Sequence, residues 1–307
     1  MRKLYYLSAP CIGLAWLVGW LAKDRTPATL WLYYIPAIAV IVYSLPWLVL
    51  FRARPTVLRA MVQGIMALAV LKVGLVDCSW NARKDAPPGH LHVIHWNVGQ
   101  WNNRITNQML AAASDEADIC LLSESPRYAD VADLARRHLD TPYALVDAGM
   151  ALLSKYPFEP LGSLKLTNGK GWAVRIATPN GPLNLVIVDL ISHPTLDRRV
   201  PIQQLSDWIG TLPASIPVIV LGDFNTPRDS LSFDPLRKRL RNAYEIAGRG
   251  WPYSWPLPAP VFSIDHAWVS PSVHVLNYSM KSSWLSDHRR QVMDIEIADT
   301  GEAAFSL

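Results

Sequence analysis

Several apolar runs in this chain end on a carboxylate, an amide or an imidazole. Asn97 closes His95-Trp96-Asn97, Glu124 closes Leu121-Leu122-Ser123-Glu124, and His193 follows the run that ends at Leu190. Asp223 and Asn225 end another in Leu221-Gly222-Asp223-Phe224-Asn225, Asp265 and His266 follow Ile264, and Asp287 and His288 follow Ser286. An isolated Asp or Asn after a strand is usually a turn former. Six separate run ends that repeat the same functional groups point instead to a shared ligand, because ligand groups converge at strand ends in α/β folds. With three Cys in the whole chain, such an oxygen-rich donor set suits Mg²⁺ or Mn²⁺ rather than a structural zinc.

The elements that must position these residues alternate. Strands are predicted over 90–97, 118–124, 150–154, 172–178, 183–190, 217–222, 264–270, 273–281 and 291–297. Helices are predicted over 105–114, 128–138, 200–212 and 235–240, with Ile202, Leu205 and Ile209 sharing one face of the third. Pro179-Asn180-Gly181-Pro182 supplies a hairpin turn between two of the strands. No G-x-G-x-x-G follows a strand, which disfavours a plain dinucleotide-binding arrangement. The pattern is a mixed α/β domain over 90–300 with helices covering packed sheets.

These motifs resemble the endonuclease/exonuclease/phosphatase superfamily, which includes DNase I, apurinic endonucleases, neutral sphingomyelinases and inositol polyphosphate 5-phosphatases. Asn97, Glu124, His193, Gly222-Asp223-Phe224-Asn225, Ile264-Asp265-His266 and Ser286-Asp287-His288 occur in the family's order. The resemblance implies a four-layer α/β/β/α sandwich and a metal-dependent phosphoester hydrolase. It implies Glu124 as principal metal ligand, with Asn97 and Asp287 close to the metal. Asp223 would orient or deprotonate the attacking water, and Asn225 would hold a phosphate oxygen. His288, oriented by Asp265, and His193 would bind the phosphoryl oxygens. That division suits phosphoryl transfer, which needs an aligned water and donors on the equatorial oxygens more than covalent help. His266 stands where many members have an aromatic, so it is expected either as a further substrate contact or as a strand residue facing solvent or core.

The first third differs in kind. Stretches 4–22, 29–51 and 57–76 are apolar, with Arg59 and Lys72 near the ends of the third. Spans of roughly 20 residues at about 1.5 Å each match a hydrocarbon core of about 30 Å. Pro10, Pro36 and Pro46 are tolerated in such helices, and Trp16, Trp20, Trp31, Tyr33, Tyr34 and Trp47 cluster near their ends. Three transmembrane helices are therefore expected, not a cleaved signal, since no small-residue cleavage pattern follows the first. Residues 81–89, with Pro87-Pro88-Gly89, form a short linker. The five basic residues Arg2, Lys3, Arg52, Arg54 and Arg59 flank one side and the four Lys23, Arg25, Arg83 and Lys84 the other, a bias that places the large domain outside the cytoplasmic membrane. Cys11, Cys78 and Cys120 are expected as free thiols.

Charge follows the same division. Residues 1–89 carry ten Lys/Arg against three Asp/Glu, whereas residues 90–307 carry 19 against 22. The basic excess belongs to the apolar third, so the large domain has no electrostatic footprint for nucleic acid. Arg198 and Arg199 are expected to capture an anion, and Trp251 and Trp255 to make apolar contacts with the substrate. A linker of nine or so residues reaches at most about 30 Å, which keeps the site near the headgroups. Three spans followed by this domain also look like the teicoplanin-resistance membrane proteins of the superfamily. The expected function is a membrane-anchored, Mg²⁺-dependent (or Mn²⁺-dependent) phosphoesterase acting on a phospholipid or lipid-linked phosphate. An anchored endonuclease or exonuclease and a non-catalytic binding domain are the alternatives.

Overall fold

A computed structural model of the chain describes residues 2–53, 56–99, 117–125 and 142–298. The helices expected over 105–114 and 128–138 lie outside the described residues. The apolar third folds as helices α1 (Arg2–Ala22), α2 (Pro27–Tyr33), α3 (Ala37–Leu50) and α4 (Thr56–Leu71), the last continuing as a π-helical turn over Lys72–Asp77. Tyr5–Ala22 and Val57–Asp77 are each long and apolar enough to cross a membrane. The single helix expected over 29–51 is instead broken, with α2 and α3 meeting at 61°. Pro36 explains the break: it has no N–H to donate, and it disfavours helical geometry at the residue before it. Thr26 starts α2 by accepting from the Thr29 amide at 3.2 Å. Gly19 lets α1 and α2 close up, since a Cβ there would lie 2.2 Å from the Leu32 carbonyl oxygen.

The large domain contains strands β1 (Ser79–Trp80), β2 (Leu91–Asn97), β3 (Ile119–Ser123), β4 (Tyr143–Asp147), β5 (Met150–Ser154), β6 (Phe158–Leu166) and β7 (Gly169–Thr178). They are followed by β8 (Gly181–Leu190), helix α5 (Arg199–Ile209), β9 (Val218–Asp223), helix α6 (Asp234–Arg237) and β10 (Arg241–Asn242). Helix α7 (Ala243–Ala247), β11 (Arg249–Gly250), β12 (Asp265–Val269), β13 (Val273–Lys281) and β14 (Arg290–Ile297) complete it. Two six-stranded sheets form, in orders β13-β14-β2-β3-β5-β4 and β10-β12-β9-β8-β7-β6. Each has one parallel pair near its centre, β2 with β3 and β8 with β9.

The sheets pack face to face. Val93, Leu121, Leu152, Val174, Leu185, Ile187, Leu221 and Met293 fill the space between them. The alternate residues Val186, Val188 and Leu190 of β8 face the other way, against Ile202 and Leu205 of α5. Ile94, Trp96, Cys120 and Leu122 are buried on the outer face of the first sheet, so both faces of both sheets are covered. That is the sandwich expected from the sequence. At roughly 2 kcal/mol per fully buried aliphatic side chain, these apolar layers dominate the domain's stability.

Among the described residues, five strands lie outside the predicted set: the two-residue strands β1, β10 and β11, and the longer β4 and β6. Strands β4 and β6 are edge strands, exposed along much of their length, and β6 is irregular between Pro160 and Gly162. Neither carries the two-sided apolar run of a central strand. The segment 81–89 lies along the domain: Asn81 Nδ2 donates to the Gly248 carbonyl at 3.1 Å, and Asn277 Nδ2 to the Lys84 carbonyl at 2.8 Å. Cys11, Cys78 and Cys120 are free thiols.

Candidate active site

Strand register gathers the strand-end residues. The last residue of β2, Asn97, pairs in parallel with Ser123, which brings it beside Glu124. Asp223, at the end of β9, pairs with Asp265 at the start of antiparallel β12, and with Asp189 of β8 on its other side. Gly222 permits this register, because a Cβ there would lie 1.9 Å from the Val188 carbonyl oxygen of the neighbouring strand. The two sheet ends are joined by Asn97, whose Nδ2 donates to Asp223 Oδ2 at 2.9 Å and to Glu124 Oε1 at 3.3 Å. Glu124 and Asn225 both adopt left-handed backbone, at φ 51° and 47°. Non-glycine residues in that region cost on the order of 1 kcal/mol, and Asn tolerates it best.

Asp223, Asp265 and His288 present donor atoms within 4.8 Å of one another. His288 Nδ1 lies 2.9 Å from Asp265 Oδ2, which leaves Nε2 for the cleft that His288 lines. Burial alone would lower the imidazole pKa, but the charge and hydrogen bond of Asp265, with Asp223 and Asp287, raise it to about 10. Asp265 is held below the usual carboxylate range: burial, the largest single influence, opposes ionisation, but the charge and hydrogen bond of His288, with His95 and the Ser254 hydrogen bond, together outweigh it. Burial, then the Asp265 charge, push Asp223 well above that range. A basic buried carboxylate beside a cationic imidazole can take a proton from water and stabilise the charge that develops on a phosphoryl group.

The cleft, about 400 Å³, has Glu124, Asp223, Asn225, Asp287 and His288 among its lining, with Tyr34, Trp255, Phe262 and Ile264 as its apolar walls. Trp255 donates from Nε1 to Asp287 Oδ2 at 2.8 Å and stacks on Phe262 at 6.0 Å. Among the described residues, Asp223, Asp265 and His288 form the group whose donor atoms could hold a metal ion, and Glu124 and Asp287 line the same cleft; this carboxylate-rich set with no thiol fits a hard divalent cation such as Mg²⁺ or Mn²⁺.

Other expected contacts lie elsewhere. His193 is exposed, its Nδ1 2.7 Å from Thr195 Oγ1, while its neighbours Ser192 and Pro194 line the cleft. Arg198 is buried and donates to the main-chain carbonyls of Ile191, His193 and Asn225, so it braces loops instead of presenting a free guanidinium. Arg199 is exposed and pairs with Asp197 at 3.2 Å. The substrate contact expected of His266 is corrected. Its ring is buried against Phe224 and Phe233, and its Nε2 meets the Thr226 carbonyl at 2.8 Å. Burial lowers its pKa to about 4, which keeps it neutral. Trp251 packs on Tyr253 and donates to the Pro260 carbonyl, away from the cleft lining.

Sequence reasoning missed a support layer. Lys170 Nζ pairs with Asp189 Oδ2 at 3.0 Å beside Asp223. Burial raises the Asp189 pKa, and Lys170 opposes it. Beneath the cleft, His95 takes up Ser123 Oγ at 2.8 Å and Gln291 Nε2 at 2.7 Å, and burial lowers its pKa to about 4. Charged pairing partners such as Lys170 and Asp189 carry a sequence signal only once the strand register is known. Tyr34 has none, because it lies in an apolar stretch.

The profile of the Endonuclease/Exonuclease/phosphatase family matches residues 78–288. No curated protein matches the chain. Among solved structures, it is similar to the endonuclease/exonuclease/phosphatase from Bacteroides vulgatus, at 18% identity over 68% of this chain and 99% of that one, with a TM-score of 0.54. It is also similar to the human Nocturnin catalytic domain with bound sulfate anion, at 20% identity over 70% of this chain and 97% of that one, TM-score 0.54. D. rerio TDP2 complexed with single strand DNA product gives 15% identity over 67% of this chain and 99% of that one, TM-score 0.54. At these identities the structural likeness speaks for the fold, and the profile match, over more than half of the chain, speaks for descent. The chain belongs to the endonuclease/exonuclease/phosphatase family of metal-dependent phosphoester hydrolases.

Proposed function

We propose that this enzyme is a membrane-anchored phosphoesterase that hydrolyses a lipid-headgroup or lipid-linked phosphate at the bilayer surface. One observation carries the reading: the phosphoester cleft is walled by Tyr34 of the apolar helical unit, alongside Trp255 and Phe262. The outward faces of those helices support it, with Val49 71% and Val57 82% exposed. Contiguous apolar surface of this kind calls for a covering phase. The net charge of −3 over residues 90–307 counts against a nucleic-acid substrate. In this reading the helical unit lies in the cytoplasmic membrane as three passes, the bent pair counting as one, and the catalytic domain faces outward.

The roles are those the family resemblance implies, and the contacts of the site are compatible with them. Glu124 would hold the divalent cation with Asp287 and Asn97 adjacent, and the cation would supply charge neutralisation at the phosphoryl oxygens. Asp223, with Asn97 Nδ2 on one oxygen and the Asn225 amide on the other, is fixed to accept the proton of the attacking water. Asn225 donates one amide hydrogen to the Leu190 carbonyl, and its NH₂ group carries a second for a phosphate oxygen. His288, oriented through Nδ1 by Asp265, presents Nε2–H to the developing charge. The test is phosphate release and mass spectrometry on the detergent-solubilised protein, with and without Mg²⁺, over a lipid-phosphate panel and a DNA control. Metal-dependent cleavage of lipids, absent in His288→Ala, supports the reading. Cleavage of DNA alone replaces it with a nuclease.

A further inference from the structure

The apolar helices grip the loop that follows the catalytic residues Asp223 and Asn225. Asp24, in the turn between α1 and α2, accepts from Ser230 Oγ at 2.6 Å, Leu231 N at 2.9 Å, Ser232 N at 3.2 Å and Ser232 Oγ at 2.6 Å. Lys23 Nζ donates to the Asp229 carbonyl at 2.8 Å, and the Tyr33 hydroxyl to Asp229 Oδ1 at 2.6 Å. At the other end of the unit, Arg228 donates to the Asp77 carbonyl at 2.7 Å, and the Tyr253 hydroxyl to Asp77 Oδ2 at 2.6 Å. Asp24 and Asp77 are buried in these contacts. A flexible tether needs none of them.

Between these anchor points lies Tyr34, at the break between α2 and α3. Its hydroxyl donates to the Asn225 carbonyl at 3.0 Å, and its ring lies 6.3 Å from that of Phe262. Asn225 holds left-handed backbone, fixed on its amide side by Asp223 Oδ1 and through its side chain by the Leu190 carbonyl. On the carbonyl side it is met by Tyr34 at 3.0 Å and by Arg198 at 3.5 Å. We propose that the helical unit is a component of the active site: Tyr34 is a positioning residue that holds the Asn225 peptide, and with Phe262 it forms the wall that receives the group esterified to the phosphate. The second half rests on the phosphoesterase reading above, while the first rests on the contacts alone. The wall's chemistry, two aromatic rings beside Ile264 and Trp255, fits an alkyl or polyprenyl chain entering from the bilayer side.

The test uses the full chain in detergent. Hydrogen exchange over 223–233 is compared in wild type, Tyr34→Phe and Asp24→Ala. Asp24→Ala is expected to speed exchange at 230–232 about fivefold or more, and Tyr34→Phe to do so at 225 and 226 with 230–232 unchanged. Unchanged exchange in both variants overturns the docking, whatever the activity. Turnover is then measured with Mg²⁺ on p-nitrophenyl phosphate and on dodecyl p-nitrophenyl phosphate. Tyr34→Phe should lower kcat about tenfold with KM little changed on whichever ester is cleaved. Tyr34→Ala should in addition raise KM for the dodecyl ester alone. A wild-type kcat in Tyr34→Phe overturns the positioning role, and an equal KM for the dodecyl ester in Tyr34→Ala overturns the wall. If wild type cleaves neither ester nor any member of the lipid panel while exchange responds, the phosphoesterase reading and the wall fall and the positioning contact stands.

Discussion

Asp265 Oδ2 and His288 Nδ1 lie 2.9 Å apart at the head of the cleft, with the two residues 1% and 6% exposed. One carboxylate begins a strand of the second sheet, and the imidazole precedes a strand of the first, so the pair ties the sheets together where the chemistry occurs.

The pair sets a pH dependence. His288 is raised from 6.5 to about 10, so its stabilising contribution is complete below pH 6.5 and is lost as pH rises through about 10. Activity that needs the imidazolium should fall on the same alkaline limb. In Asp265→Asn the largest raising influence is gone while burial remains, so that limb should move to lower pH by a unit or more, about 1.4 kcal/mol per unit. A pH–rate profile and a pH series of melting temperatures would read both effects, and an unmoved limb would detach Asp265 from the imidazole.

Removing the acid–base groups should stop turnover without unfolding the chain. His288→Ala and Asp223→Asn are each expected to lower kcat by about 10²-fold or more. Circular dichroism should stay native in both, because the surrounding apolar layers are untouched. Wild-type rates in either variant would sink the assigned role.

Metal dependence should run through Glu124. Chelation with EDTA is expected to abolish activity and Mg²⁺ or Mn²⁺ to restore it. Glu124→Gln removes the ligand's charge, so the Mg²⁺ concentration for half-maximal activity should rise by about tenfold or more. An unchanged Mg²⁺ titration would take Glu124 out of the metal site.

Gly222→Ala probes the register. A methyl group 1.9 Å from the Val188 carbonyl oxygen can be admitted only by opening the parallel β8–β9 pair. We expect a loss of about 3 kcal/mol in denaturant unfolding, the scale of overpacking against rigid backbone. A melting temperature equal to wild type would show that the strands yield there.

Orientation has a direct readout. Alkaline phosphatase fused after residue 85 should be active if the catalytic domain faces outward, and a fused cytoplasmic reporter should be active if it faces inward.

Much of the site was legible because its residues end strands, and strand ends follow from local apolar periodicity. Strand Val273–Lys281 and strand Met150–Ser154 match the predicted bounds, since a central or two-sided strand declares itself in its own residues. The edge strands over Tyr143–Asp147 and Phe158–Leu166 do not, because one neighbour and partial exposure leave a mixed pattern. Within the site, Asp223 and His288 are marked by type and motif, and the packing of the two sheets brings them together. His266 has the same local signature as His288, but one ring is enclosed by Phe224 and Phe233 and the other faces the cleft. Neighbouring positions on a strand point to opposite faces, and which face is open depends on layers packed from distant sequence.

By itself, then, the sequence determined the division into an apolar helical unit and an α/β domain, the strands that carry the acid, amide and imidazole groups, and the family those groups belong to. The tertiary structure decided what those groups touch. It enclosed Arg198 among backbone carbonyls, left His193 at the surface, and brought Tyr34 to Asn225 across 191 positions. The reason is physical: secondary structure follows from periodicities a few residues long, whereas the partner of a buried polar atom is fixed only when distant elements meet and each donor must find an acceptor.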